Sequence, residues 1–166
     1  VTTDDEVIIE QLSSSECKTL KRQKALSEDT TSTRDVLQDA IDKYNISEDE
    51  QIIMLYLTYP ERTWKDIEQA LEFYSKTKAR SLLCCSDVKV SPFLCMLKKD
   101  NYKGAQIIEH NLYRRQDYPE CFEISHFISI FQSDELKKLN KNLYNKDTVF
   151  YKIKSPVDVD TPKDIE

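Results

Sequence analysis

Two aspartates near the end of the sequence have the spacing of a magnesium site. In the segment Val157-Asp158-Val159-Asp160-Thr161 one residue separates them, so in an extended chain both face the same side. Two carboxylates held this close repel each other unless a cation or hydrogen-bond donors neutralise them. Mg²⁺ bridged to substrate phosphates suits a pair that leaves coordination positions open. The alternative is that Asp158 and Asp160 remain solvated and cap a helix beginning at Thr161.

Two adjacent arginines form a second candidate site, in Arg114-Arg115-Gln116-Asp117. A guanidinium group can bind a carboxylate or a phosphate through two parallel hydrogen bonds, and a neighbouring amide adds a further donor. Arg115 and Gln116 are therefore candidates for holding an anionic substrate. The alternative is a charged loop exposed to solvent, which is the usual place of such a run. The residues alone leave both interpretations open.

A turn after the apolar run 51–57 is the third candidate. Its residues are Thr58-Tyr59-Pro60-Glu61-Arg62-Thr63, and Arg62 could hold an anion near the start of the helix that follows. The spacing alone favours a structural strand-to-helix turn stiffened by Pro60. A fourth segment, residues 26–36, is rich in hydroxyls and carboxylates. These side chains could bind sugar hydroxyls, or they form a loop and a helix N-cap.

The elements that must position these segments alternate between strands and helices. Apolar patterning predicts four strands, over 51–57, 81–85, 122–131 and 148–153, and helix starts near Thr3, Ser32, Thr63 and Ser133. The acids Glu6 and Asp66 complete capping boxes with Thr3 and Thr63. The nearly continuous apolar run 51–57 is typical of a strand buried on both faces of a parallel sheet. The alternation predicts an α/β fold, in which ligands bind at the carboxyl ends of the strands.

Composition limits the classes of function. The 166 residues fit a single domain over 1–166. With 24 Lys and Arg against 30 Asp and Glu the net charge is −6, so we expect neither nucleic acid nor a membrane surface as a partner. Five cysteines without CxxC spacing, and no secretion signal, favour reduced thiols in a cytoplasmic protein. Because Gly104 is the only glycine, a Gly-rich phosphate-binding loop is absent from these residues.

Five segments, taken in order, resemble the acylneuraminate (CMP-sialic acid synthetase-like) cytidylyltransferases. The family's STDDEEI is similar to Thr2-Thr3-Asp4-Asp5-Glu6, and its LS-D-T-T-DVL to Leu26-Ser27-x-Asp29-x-Thr31 with Asp35-Val36-Leu37. Its LLQPTSPLRT resembles Leu55-x-x-Thr58-x-Pro60-x-Arg62-Thr63. Its RRQDLPE and VDIDTEEDF resemble Arg114-Arg115-Gln116-Asp117-Tyr118-Pro119-Glu120 and Val157-Asp158-Val159-Asp160-Thr161. Five matches in order are far more specific than any one of them.

The resemblance implies a Rossmann-like, mainly parallel sheet of the nucleotide-diphosphosugar-transferase type. It implies an enzyme that joins CTP to a nine-carbon 2-keto sugar acid and releases pyrophosphate. Asp158 and Asp160 would be the catalytic pair that holds Mg²⁺. Substrate binding would fall to five residues: Tyr56, Thr58, Arg62, Arg115 and Gln116.

The resemblance also implies a homodimer, with a dimerisation segment within residues 87–131 that can carry Arg115 into the partner's site. The residues favour this, because the stretch 87–118 has little periodicity and yet holds many apolar side chains that need burial. Among them are Phe93, Leu94, Met96, Leu97, Ile107 and Ile108.

Three departures separate the sequence from the family pattern. The family's nucleotide loop, of the type ARGGSKRIPRKN, would precede Val1, so we expect a domain truncated at its N-terminus and inactive by itself. The sugar-contacting glutamine of LLQPTSP is Tyr56 here, and NGAIYI is replaced by Ile124-Ser125-His126-Phe127-Ile128-Ser129. We therefore expect another sialic-acid-like nonulosonic acid as the substrate. The alternative is a non-catalytic homologue that acts as a dimerisation or sugar-binding module.

Overall fold

A computed structural model describes residues 1–28 and 30–165, and its largest element is a four-stranded sheet. In spatial order the strands are β3 (Gln51–Met54), β7 (Phe122–Gln132), β4 (Ser81–Asp87) and β8 (Val149–Lys152). Two small sheets pair β1 (Thr2–Thr3) with β2 (Leu20–Lys21) and β5 (Met96–Lys98) with β6 (Gly104–Gln106). The α-helices are α1 (Glu6–Leu12), α2 (Thr33–Tyr44) and α3 (Trp64–Lys76). Short 3₁₀ helices cover Lys24–Leu26, Pro92–Leu94, Asp100–Tyr102, Arg115–Asp117, Ser133–Lys138 and Pro162–Ile165.

Three of the four strands of the large sheet run in one direction. β4 pairs parallel with β8, and β7 pairs antiparallel with both β3 and β4. β3, β4 and β8 therefore end at the same edge of the sheet, and β7 begins there. The predicted α/β fold is confirmed, with β7 as the reversed strand inserted between β3 and β4.

β3, the first predicted strand of the large sheet, is shorter and less buried than expected. It ends at Met54 rather than Leu57, and its side chains alternate between exposed and half-buried. The prediction of a strand buried on both faces is wrong here, because among the described residues β3 pairs with β7 alone and so lies at an edge of the sheet. The prediction suits β4 instead, where residues 81–86 are all buried between two neighbouring strands.

Two apolar clusters hold the elements together. In the first, Ile67, Ala70 and Tyr74 of α3 pack against buried side chains of β4 and β7. In the second, Ile41 of α2 meets Phe131 and the leucines that follow β7, which are Leu136, Leu139 and Leu143. Among the described residues, no helix is both long and apolar enough to cross a bilayer.

Of the four predicted helix starts, Ser32 and Thr63 have the expected caps, and the helix near Ser133 is the 3₁₀ helix Ser133–Lys138, which has no side-chain cap. Ser32 caps α2 by accepting from the Asp35 amide, and Thr63 forms the predicted capping box with Asp66. At α1 the predicted box is wrong, because the carboxylate of Asp5 accepts from the amides of the first turn and is itself the N-cap.

Candidate functional site

The turn after β3 and the acidic pair meet at one edge of the sheet. β3 and β8 are parallel, so the segments that follow them leave the sheet on the same side. There the Val159 N–H donates a hydrogen bond of 2.8 Å to the Thr58 carbonyl. This bond places Asp158 and Asp160, which flank Val159, beside the turn. Two of the predicted site segments are therefore one site.

The strand β7 bulges where it passes this site. Leu83 pairs with Ser129, but the next residue of β4, Cys84, pairs with Ser125, so residues 126–128 of β7 have no partner on β4. Bulges re-aim side chains and are frequent beside active sites. Here the bulge carries His126 and the Phe127 carbonyl, both of which contact the turn after β3.

Arg62 ties this turn to the bulge. Its Nη1 donates to the Phe127 carbonyl at 2.8 Å and its Nη2 to the Tyr56 carbonyl at 2.7 Å. The guanidinium carbon lies 5.7 Å from the centre of the Phe127 ring. Burial lowers the pKa of Arg62, although a guanidinium keeps its charge at any working pH. Both terminal nitrogens thus bind backbone, which agrees with the structural interpretation of the turn.

Tyr59 is buried at the centre of the site, which the sequence analysis did not single out. Its ring is 8% exposed and meets the Phe127 ring edge to face, with centroids 5.4 Å apart. Burial raises the pKa of Tyr59, and the charges of Asp158 and Asp160 raise it further. The phenol therefore keeps its proton and can donate it to a carboxylate.

The acidic pair is exposed and does not cap the last helix. The Thr161 N–H and hydroxyl donate to Asp164, at 2.7 and 2.9 Å, and these bonds lower the pKa of Asp164. The carboxylate bound at the start of this helix is thus that of Asp164 and not one of the acidic pair, whereas the solvated part of the alternative stays open. Across residues 1–28 and 30–165, the Asp160 side chain makes no hydrogen bond or ion pair.

Tyr56 and His126 form an aromatic wall next to the acidic pair. Their ring centroids are 5.2 Å apart, and the Tyr56 hydroxyl lies 2.6 Å from Thr33 Oγ1. Thr33 brings the start of α2, and with it the hydroxyl-rich fourth segment, to the site; Asp29 of that segment lies outside the described residues. The Nδ1 atom of His126 is buried without a hydrogen-bond partner in the described part of the chain. Burial lowers the pKa of His126 against the opposing charge of Asp158, so the ring is neutral at pH 7.

Arg115 and Gln116 make no contact with the acidic pair among the described residues. They are exposed on the 3₁₀ helix Arg115–Asp117, and no hydrogen bond or ion pair of the described chain joins them to the acidic pair. Arg114 is neutralised by a bidentate pair with Asp117, both contacts being 2.9 Å long. Arg115 instead lines a cavity of about 400 Å³ together with Lys89 and Tyr118.

The donor set of the site fits a magnesium ion that is only partly held by protein. No cluster of three or more His, Cys, Asp or Glu side chains able to hold a metal exists among the described residues. Two exposed carboxylates supply hard oxygen ligands and leave most coordination positions to others. Mg²⁺ binds in this way, through one or two carboxylates, several waters and substrate phosphates.

Comparison with known proteins finds sequence similarity to a flagellin modification protein and to a cytidylyltransferase. No protein family model matches it. It is 25% identical over 131 residues to post-translational flagellin modification protein B of Campylobacter coli, covering 77% of this chain and 55% of that protein. It is 26% identical over 167 residues to the N-acylneuraminate cytidylyltransferase of Streptococcus agalactiae serotype V, covering 99% of this chain and 40% of that enzyme. In sequence the chain is similar to the acylneuraminate cytidylyltransferases.

The fold of the chain is similar to that of a solved structure. The chain superposes with a TM-score of 0.65 on CMP:2-keto-3-deoxy-manno-octonic acid synthetase complexed with CTP, at 14% identity, covering 99% of this chain and 76% of the other. This confirms the expected fold of the nucleotide-diphosphosugar-transferase type. The chain spans about half the length or less of the curated relatives it matches.

Proposed function

We propose that this chain forms part of a cytidylyltransferase that transfers CMP from CTP to an acidic sugar. The observation that carries the proposal is the 2.8 Å hydrogen bond from the Val159 N–H to the Thr58 carbonyl. It joins the acidic pair to the turn at the edge of the sheet where α/β proteins bind their ligands. The relatedness to acylneuraminate cytidylyltransferases supports the choice of reaction.

Transfer of CMP from CTP requires positive charge positioned beside the triphosphate. A hydroxyl oxygen of the sugar acid attacks the α-phosphorus of CTP, the bond from that phosphorus to the bridging oxygen breaks, and pyrophosphate leaves. The hydroxyl proton passes to solvent. Asp158 and Asp160 would hold Mg²⁺, which when bound neutralises charge on the triphosphate oxygens. Thr58 and Arg62 hold the turn that supports the pair, and Tyr56 lines the neighbouring wall.

For the sugar we propose a sialic-acid-like nonulosonic acid of nine carbons. The name of one curated relative, the N-acylneuraminate cytidylyltransferase of Streptococcus agalactiae, supports a substrate of this class. Arg115 would bind the carboxylate, assisted by Gln116. Arg115 is exposed, whereas its neighbour Arg114 is held in a bidentate pair with Asp117, and both observations support this assignment. Because no hydrogen bond or ion pair of the described chain joins Arg115 to the acidic pair, we propose that it acts in the site of a partner protomer.

The partner protomer would dock on the segment between β4 and β7, so the protein would be a homodimer. Many exposed large apolar side chains are concentrated in this segment, among them Val90, Leu94, Met96, Leu97, Ile107 and Tyr113. Burial of such a surface stabilises association. We place this dimer in the cytoplasm, since the cysteines of the described chain are all free thiols.

A second candidate function is a non-catalytic dimerisation or sugar-binding module. The observation that favours it is the packing of Tyr56 on His126, because these rings occupy the end of the site where the family has glutamine and Asn-Gly. The single glycine also favours it, since Gly104 lies in the hairpin strand β6 and cannot cradle a triphosphate.

The experiment is pyrophosphate release with CTP, Mg²⁺ and a panel of nonulosonic acids. It compares this chain with a version extended upstream to the length of its relatives. We expect no release by the 166 residues alone, because loss of one preorganised donor typically costs ~10²–10³ in rate and a whole loop more. We expect release by the extended version. Turnover by the short chain would show that the nucleotide site is misplaced, and sugar binding without turnover by either version would favour the second candidate.

A further inference from the structure

A cavity of about 400 Å³ in the segment between β4 and β7 is lined by cations and by no carboxylate of the described chain. Its lining comes from both ends of this segment, with Lys89 and Ser91 from the first end and Arg115 and Tyr118 from the second. The chain as a whole carries a net charge of −6. Within this acidic protein the cavity is therefore a place that favours an anion.

The two cations of the cavity are not engaged by the chain itself. Across residues 1–28 and 30–165, neither the Lys89 ammonium nor the Arg115 guanidinium makes a hydrogen bond or an ion pair. Asp117, which precedes the lining residue Tyr118, is held by Arg114 through two contacts of 2.9 Å. Both charges of the cavity are therefore left for a ligand.

A hydroxyl of the lining is also unused. The Ser91 Oγ atom is buried and has no hydrogen-bond partner among the described residues. A buried hydroxyl without a partner is unfavourable, and in native structures such a group calls for a bound water, ion or ligand. This observation is independent of charge and also favours an occupied cavity.

The wall formed by Tyr118 is fixed by packing. Its ring stacks on Phe93, with centroids 5.7 Å apart and an angle of 14° between the rings, and His110 meets both rings edge to face. The Leu112 N–H donates to His110 Nδ1 at 3.1 Å, so Nε2 carries the proton and donates to the Phe93 carbonyl at 2.8 Å. Because these rings are held in place, binding a ligand costs little further ordering of this wall.

Another side of the cavity is apolar. Val90 and Leu94 line it and are 61% and 47% exposed. Burial of these side chains under an apolar group of a ligand is favourable. A cavity that combines two unengaged cations with apolar side chains fits an organic anion better than an inorganic one.

We propose that this cavity binds a small organic acid, whose carboxylate pairs with Arg115 and Lys89 while its apolar body packs on Val90 and Leu94. Arg115 can bind a carboxylate through two parallel hydrogen bonds, and Lys89 adds a point charge. The inference goes beyond the proposed function, because the cavity is formed by one protomer and requires neither CTP nor Mg²⁺. The sugar acid of the proposed reaction and an unrelated carboxylic acid share this chemistry, and the test separates them.

The test is a titration with isocaproate, followed by nuclear magnetic resonance at the amides of Lys89, Ser91, Arg115 and Tyr118 in the full 166-residue chain. We expect these amides to shift with a single dissociation constant. Acetate, which lacks the apolar body, should bind about 10-fold more weakly. The uncharged isocaproamide should also bind about 10-fold more weakly. In Arg115→Gln and in Lys89→Gln we expect the dissociation constant of isocaproate to rise about 5–10-fold.

The matched control is Lys103→Gln. Lys103 is an exposed lysine of the same segment that does not line the cavity, and no ion pair of the described chain involves it. We expect this variant to bind isocaproate as the unaltered chain does, although it has lost the same charge. Val90 and Leu94 lie in the segment on which a partner protomer would dock, so the double variant Leu97→Ser, Ile107→Ser is titrated as well. It should bind with unchanged affinity, and loss of binding there would refute a cavity formed by one protomer.

N-acetylneuraminate identifies the source of the acid. Displacement of isocaproate by N-acetylneuraminate assigns the cavity to the sugar acid, whereas binding of isocaproate without displacement assigns it to another carboxylic acid. Either result supports the site. Absence of shifts at the cavity overturns the inference, and so does an unchanged affinity in Arg115→Gln or an equal affinity for acetate and isocaproate. None of these results depends on turnover, so the proposed transfer reaction is tested separately.

Discussion

Arg62 stabilises the site by binding backbone rather than substrate. The bulge in β7 leaves the Phe127 carbonyl without a partner on β4, and Arg62 donates to it as well as to the Tyr56 carbonyl. A half-buried cation with two such acceptors joins the turn to the sheet. The arginine of the family motif LLQPTSPLRT therefore has a structural reason to stand at this place in the chain.

Replacing this arginine should destabilise the fold. For Arg62→Met we expect the free energy of unfolding to fall by about 2–3 kcal/mol, because two carbonyls lose charged donors while the methionine keeps the apolar contact with Phe127. Urea unfolding measures the change. Arg114→Met is the control, since its pair with Asp117 is exposed and should contribute less than about 1 kcal/mol. Equal effects of the two substitutions would rule out the structural role.

At the scale of single residues, the placing of the acidic pair could be anticipated from a local pattern, and its metal-binding role stays a prediction. The Asp-x-Asp spacing of Asp158 and Asp160 needs only an extended backbone to direct both carboxylates one way. Tyr59 was missed, because its burial depends on β7, which lies far away in sequence. The only signal was an aromatic residue inside an otherwise polar turn.

At the scale of elements, the buried carboxylate of Glu135 connects the 3₁₀ helix Ser133–Lys138 to the residues packed around it. Glu135 accepts from Lys138 at 3.0 Å, from Asn145 at 2.8 Å and from Arg80 Nε at 3.3 Å. Burial raises the pKa of Glu135, but the hydrogen bonds from Lys138, Asn145 and Arg80 outweigh it and hold the pKa below its ordinary value of 4.5. The ionised form is therefore the one that stabilises the fold.

This network should make the free energy of unfolding depend on pH in the acid range. The pKa of Glu135 is lower in the folded than in the unfolded chain, where it is 4.5. The carboxylate therefore contributes fully to the free energy of unfolding above pH 4.5, and this contribution is lost as the pH falls through the pKa of the folded chain. We expect Glu135→Gln to reduce the slope of unfolding free energy against pH in the acid range below 4.5. Urea unfolding as a function of pH measures it. A slope equal to that of the exposed-site control Glu61→Gln would refute the role of Glu135.

Element types were predictable from the sequence, but their pairing was not. The periodicity of α2 and α3 and the caps at Ser32 and Thr63 are local properties, and the structure has them where they were expected. The reversed direction of β7 and the edge position of β3 depend on which strands pair across long loops. An apolar run such as 51–57 has the same sequence pattern in an edge strand as in a central strand of a sheet, so the pattern does not predict the position of the strand.

At the scale of the whole molecule, the apolar segment between β4 and β7 should determine the assembly. We expect a dimer in sedimentation at micromolar concentration, because Leu97 and Ile107 are 50% and 52% exposed in a single copy. The double variant Leu97→Ser, Ile107→Ser should shift the protein to monomer without unfolding it. As a control, Leu57→Ser changes an exposed leucine outside the segment and should leave the dimer intact. A folded monomer of the unaltered protein would argue against this interface.

The acidic pair and the turn after β3 are proposed to form one nucleotide-transfer site, and one measurement tests this most directly. It is Mg²⁺-dependent pyrophosphate release from CTP by the upstream-extended protein, compared with its Asp160→Asn variant. Asp160 is exposed and bonds to no described side chain, so the midpoint of thermal unfolding should change by no more than about 2 °C. Turnover should fall by ~10² or more, because the lost carboxylate is one of two that would hold the ion. Equal turnover in the variant would contradict the site and leave Asp158 and Asp160 as a solvated surface pair.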